Sequence, residues 1–98
     1  MTDHEYKQMG VRLADVREQR GCNLHELAAM TELHYNTLSA IEHGTRKPSL
    51  DTLVCIVRAL DVSMDYIVLG VRPQSNSWGL ILRSDDELDA VIAADKAD

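Results

Sequence analysis

The stretch from Asn23 to Gly44, NLHELAAMTELHYNTLSAIEHG, restricts this chain more than any other. It reads as two short helices joined by a tight turn. Asn23 is a favourable N-cap, and Glu26 stands three residues later, the spacing of a capping box. Leu24, Leu27, Ala28 and Thr31 then fall at i, i+3, i+4 and i+7, one stripe of a helix. The turn is expected through Glu32 and Leu33. A second helix is expected from about Tyr35 to His43, with His34 at or next to its start. Gly44 closes it, as a C-terminal glycine commonly does. Leu38 and Ile41 point inward, which leaves Tyr35, Asn36, Thr37, Ser39, Ala40 and His43 for the outer faces. Two helices of this size with a three- to four-residue turn fit a helix-turn-helix unit. On the pattern alone, a helical hairpin packed only for stability stays open.

The flanking segments supply further helices. Residues 1–6 are expected to fray, and helix one runs from Lys7 to Arg20 with Gly21 as its stop. Ser49 caps a fourth helix to about Leu60, and Ser63 caps a fifth from Met64 to about Leu69. The fourth helix is apolar almost all round. A surface helix keeps a polar face, so something beyond the domain's own core must cover part of it. Residues 71–77 read as a linker, and Trp78 to Arg83 as a short strand. Ser84 to Glu87 has capping-box spacing and opens a last helix with Leu88, Val91 and Ile92 on one stripe. An isolated strand is not stable in water. The appendage must therefore pack on a second copy or fold back over helix five.

The chain of 98 residues suits one small domain plus an appendage. A core of this size is marginal, and oligomerisation would help it. No apolar run is long enough to span a membrane. The first ten residues lack a basic-then-apolar leader, so cytoplasmic residence is expected. Cys22 and Cys55 form no CxxC pair and are expected as reduced thiols. His25, His34 and His43 recur every nine residues, but the turn breaks any common face. No metal site and no cofactor are expected. No nucleophile–base arrangement and no phosphate-cradling glycine loop is present, so an enzyme is not expected.

Charge sets a constraint on partners. The net charge is −6, whereas a nucleic-acid binder is expected to show a basic footprint. Residues 1–50 carry six Lys or Arg against seven acids, and residues 51–98 carry four against nine. The N-terminal half is near neutral, and the acid is concentrated towards the tail. Affinity for a phosphate backbone would have to come from a few local contacts and from dimerisation.

From Met9 to Gly70 the chain resembles the lambda-repressor-like, Cro-type helix-turn-helix family. The residues that carry the likeness are Arg17 to Gly21, Leu27-Ala28, Ile41-Glu42-His43-Gly44 and Arg46-Lys47-Pro48-Ser49. The resemblance implies an all-α fold: a five-helix helix-turn-helix domain over residues 7–70, followed by the appendage at 71–98. It implies an ion pair between Arg17 and Glu42, and a core position for Cys22. It implies that Tyr35, Asn36 and Ala40, with His34 beside them, face DNA bases in the major groove. Thr37, Ser39, His43, Arg46 and Lys47 become candidate phosphate contacts. For Arg46 and Lys47 a solvated basic turn remains the alternative. The chain departs from the family at Leu24, where a phosphate-binding glutamine is common, at Glu32, where the turn usually has glycine, and in having no arginine in helix three.

The expected function is a sequence-specific regulator of transcription, a repressor that binds double-stranded DNA as a homodimer on a two-fold operator. Its dimer interface is expected from Val54, Cys55, Tyr66, Val68, Trp78, Leu80, Ile81, Leu82, Leu88, Val91 and Ile92. The alternative is an interaction module for a protein partner that keeps the fold with weak or no DNA binding. Leu24, Glu32 and the acidic tail favour that alternative.

Overall fold

The computed structural model describes residues 1–72 and 79–96, apart from the side chains of 95 and 96. Six helices are found among them: α1 (Asp3–Gln19), α2 (Leu24–Thr31), α3 (Tyr35–Glu42), α4 (Leu50–Leu60), α5 (Met64–Leu69) and α6 (Asp85–Lys96). Each of the first five is started by a side chain that accepts a hydrogen bond from an otherwise unpaired N–H of the first turn. α1 begins four residues earlier than expected. Thr2 Oγ1 accepts from the Glu5 N–H at 3.1 Å, and Glu5 returns a carboxylate to the Thr2 N–H at 2.8 Å. This capping box orders a start expected to fray.

The α2–α3 turn passes through Glu32, which is left-handed at φ 59° without being glycine. The fourth helix stops at Asp61, also left-handed. Its terminal carbonyls at Leu60 and Asp61 accept from the Arg20 guanidinium at 2.9 and 2.8 Å. A cation at a helix C-terminus also complements the helix dipole.

The main core is one cluster, with Leu88 and Ile92 buried outside it. Met9, Leu13 and Val16 of α1 meet Leu27 of α2, Leu38 and Ile41 of α3, and the inner faces of α4 and α5. Cys22 packs against it, half-buried. Burial, then the neighbouring Glu26, pushes its thiol above the usual cysteine range, which keeps it in the unreactive form.

The appendage differs from expectation in two ways. No strand is present among the described residues, and residues 79–83 are irregular. The backbone of Ile81 is satisfied instead by a side chain: its N–H donates to Gln19 Oε1 at 2.7 Å, and its carbonyl accepts from Gln19 Nε2 at 2.8 Å. An amide side chain thus replaces a neighbouring strand. Within the chain, α6 lies against α1 rather than over α5, which was the intramolecular placement expected. Leu80 and Leu88 are fully buried there, and Ile92 nearly so. Polar ties follow the seam. Arg83 Nε donates to the buried Asp15 at 3.0 Å, and buried Arg12 donates to Asp85 at 3.2 Å. Asp89 accepts from Gln8 at 3.0 Å and lies 2.8 Å from His4.

This packing corrects part of the expected dimer interface. Tyr66, Leu80, Leu88 and Ile92 are spent on the chain's own interior. Tyr66 is 1% exposed, and burial pushes its phenol above the usual tyrosine range. Val54, Val68 and Leu82 are half-buried, while Cys55, Ile81 and Val91 remain exposed. Trp78 lies outside the described residues, as do most of the expected linker positions.

Candidate nucleic-acid interface

α3 is held by its ends. At its C-terminus, Arg17 Nε donates to Glu42 Oε2 at 2.8 Å and Arg17 Nη2 to Glu42 Oε1 at 3.1 Å, a two-bond pairing. A third bond runs from Arg17 Nη1 to the Cys22 carbonyl at 2.9 Å. The Glu42 hydrogen bonds raise the Arg17 pKa above its ordinary value. One guanidinium therefore ties α1, the loop before α2 and the end of α3. Two glycines allow the elements to approach this closely. Gly10 of α1 faces the carbonyls of Ile41 and Glu42, and a Cβ built on Gly44 would fall 2.8 Å from the Cα of Lys7.

At the N-terminus of α3 the cap is His34. Its Nδ1 accepts the Asn36 N–H at 3.1 Å. That bond requires a bare Nδ1, so the proton of the neutral ring sits on Nε2 and can be donated outward. His43 has the opposite arrangement. Its Nδ1 lies 2.7 Å from the Ser39 carbonyl, which can only accept. The neutral His43 ring therefore keeps a bare Nε2 and presents an acceptor.

The outward face of α3 is polar and short. Asn36 is exposed, and its side-chain amide makes no hydrogen bond to any described residue. Tyr35 is exposed at the first helical position, and its ring stacks on His25 of α2 at 4.4 Å. Thr37, Ser39 and Ala40 are half-buried along the next turns. The Ala40 carbonyl accepts both the N–H and the hydroxyl of Thr45, at 3.0 and 3.2 Å, which closes the loop after α3. Arg46 and Lys47 project from that loop, both exposed. Lys47 Nζ sits 5.3 Å from the centre of the Tyr6 ring, within cation–π range. Leu24, where the resembling family favours glutamine, packs against the core instead of reaching outward.

The structure brings His34, Tyr35, Asn36 and Ala40 together on one helix and puts Arg46 and Lys47 just beyond it. His25, which is not among the expected site residues, joins them through a ring contact between two helices. Among the described residues no group of three metal-ligating side chains occurs, and no helix is long and apolar enough to cross a membrane.

A family model described as helix-turn-helix matches residues 13–67. A curated relative, the HTH-type transcriptional regulator DdrOP3 of Deinococcus deserti, is 30% identical over 61 residues. Those residues are 62% of this chain and 47% of DdrOP3, so the chain spans about half the length of that relative. The restriction-modification controller protein C.AhdI of Aeromonas hydrophila superposes with a TM-score of 0.63 at 25% identity, covering 65% of this chain and 97% of its own. The clp gene regulator ClgR of Corynebacterium glutamicum gives the same TM-score at 26% identity, over 66% of this chain and 83% of its own. A second ClgR structure covers 95% of this chain at 22% identity, a likeness of fold alone. With the matched segment running from the middle of α1 into α5, the chain belongs to the Cro-type helix-turn-helix family.

Proposed function

We propose that this chain is a sequence-specific DNA-binding regulator of transcription that acts as a homodimer on a two-fold operator and represses by occluding a promoter. The observation that carries the reading is the free amide of Asn36, exposed in the first turn of a helix whose ends are both fixed. An asparagine amide can make a two-bond contact to an adenine edge in the major groove. The Nε2–H of His34 and the hydroxyl of Tyr35 flank it, and the Ala40 methyl suits a thymine methyl. Arg46 and Lys47 would hold backbone phosphate without reading sequence. The regulators among its relatives support the class of function.

The test is selection from a random duplex library at moderate salt, followed by sequencing. A two-fold symmetric motif is the expected outcome. Asn36→Ala should then relax preference at one base pair by about 1–3 kcal/mol. Arg46→Ala should weaken binding to all duplexes and reduce the salt slope by about one contact. Retention of duplexes unchanged by either substitution would remove both roles.

The dimer rests on what the chain leaves uncovered. Ile81 is 79% exposed and Leu69 68%, and Val54 and Val68 are half-buried. Ile81→Glu should convert dimer to monomer in equilibrium sedimentation, and an unchanged mass would move the interface elsewhere.

A groove of about 540 Å³ favours a second reading. It lies between α1, α6 and the end of α3, with Val11, Ala14, Leu24 and Val91 on its walls. A protein segment held there would make the chain an interaction module. Failure of the folded protein to enrich any duplex would favour that reading over the first.

A further inference from the structure

We infer that His25, a residue of α2, determines sequence specificity by holding Tyr35 of α3 in its reading position; the inference rests on the DNA-binding function proposed above. His25 is the second residue of α2, and Tyr35 is the first of α3. Their rings stack with centroids 4.4 Å apart and planes 22° apart. The pair bridges the N-terminal ends of the two helices of the unit.

Neither residue belongs to the core cluster. His25 is exposed, and Tyr35 is 37% exposed. His25 is exposed and the pair stands outside the core cluster, so stability is not the main consequence of the stack. Its consequence is order. A solvent-facing tyrosine samples several rotamers, whereas a stacked one is held in a single direction before any partner arrives. Binding then loses less side-chain freedom, and a tyrosine that cannot swing aside rejects a mismatched base edge more strongly.

The neighbouring position is organised in the same way by a different device. The His34 ring caps the Asn36 N–H and fixes the backbone from which the Asn36 amide projects. Tyr35 and Asn36, the two outermost side chains of the first turn, are thus each pre-set by a histidine, one through ring stacking and the other through backbone capping. This matters more on a chain of net charge −6, where non-specific attraction to phosphate is weak and base contacts must carry a larger share of the discrimination. His25 is a positioning residue here and needs no contact with a base.

The experiment repeats the duplex selection with the full chain carrying His25→Ala, His25→Phe, Tyr35→Ala and the double substitution His25→Ala/Tyr35→Ala. The His25–Tyr35 stack is also followed in the free protein through ring-current shifts and cross-ring contacts in NMR spectra. His25→Ala should lower discrimination at the Tyr35-dependent base pair by roughly two- to tenfold. It should leave the Asn36-dependent base pair unchanged. His25→Phe keeps the stack and discards every imidazole hydrogen bond, so it should restore discrimination. The double substitution should be no worse than Tyr35→Ala alone.

His25→Phe behaving like His25→Ala would overturn the inference, because the imidazole would then act by hydrogen bonding to phosphate. Unaltered discrimination in His25→Ala, with wild type still selecting a motif, would overturn it as well. Absence of any motif for folded wild type would sink the DNA-binding reading itself, and the inference with it. Since His25 lies outside the core, all four proteins should keep the wild-type circular dichroism spectrum.

Discussion

Gly10→Val should lower stability by about 3 kcal/mol, even though it replaces a helix-interior glycine. On propensity alone the change should help, since glycine costs about 1 kcal/mol relative to alanine inside a helix. Position decides the sign. A Cβ on Gly10 would fall 2.6 Å from the Ile41 carbonyl oxygen and closer still to that of Glu42. Both oxygens are backbone atoms in the last turn of α3, so no rotamer change can clear the space. The helices must separate, and the Arg17–Glu42 pairing at the same crossing must stretch. For a domain of this size the loss corresponds to a fall in Tm of roughly 12–24 °C. Gly10→Ala should show the same effect, smaller. Thermal unfolding followed by circular dichroism measures both. A Gly10→Ala protein as stable as wild type would show that the α1–α3 crossing yields, and that Gly10 does not set the seat of α3.

How much of this was legible in the sequence depends on the range of the interaction. The α2–α3 unit was, because its signals are local: the Asn23–Glu26 capping box and the inward Leu27, Leu38 and Ile41 lie within a few residues of the atoms they organise. Thr2–Glu5 carries the same spacing, but it stands in a polar opening stretch that offers no apolar stripe to back it. The run Trp78 to Arg83 has the composition of a strand. What decides its state is Gln19, some sixty residues earlier, whose amide occupies the Ile81 backbone. Tyr66 looked like surplus apolar surface because nothing near it in sequence reveals that the segment around Arg83 closes over it. His25 and Tyr35 are ten residues apart on separate helices, and only the fold makes them a stack. The tautomers of His34 and His43 likewise follow from which atom faces each ring, and residue type alone is silent about that.

The seam between α1 and α6 decides whether residues 79–96 form a separable appendage or part of one cooperative unit. We expect one unit, and Leu88→Ala is the probe. Leu88 is fully buried, so the truncation should cost about 2–5 kcal/mol. If α6 could leave at little cost, the loss would stop at its docking energy, and the remaining helices would melt as before. The charges on α1 argue against that. Arg12 and Asp15 are 4% and 8% exposed, and their carboxylate and guanidinium partners, Asp85 and Arg83, come from the α6 side. Undocking would leave Arg12 with only the Ile67 carbonyl, and Asp15 with only the Gln19 amide. The partners on the α6 side are the more exposed members, but the groups left behind are buried, and a buried charge that loses its counter-charge is unfavourable. The same α1 carries Arg17, which fixes Glu42 at the end of α3. Leu88→Ala should therefore lower a single Tm in which every helix takes part, and weaken the proposed DNA binding only near that temperature. Hydrogen exchange distinguishes the outcomes. Loss of protection shared by α1, α3 and α6 is expected, whereas loss confined to α6 would make residues 79–96 an independent unit that α3 does not need.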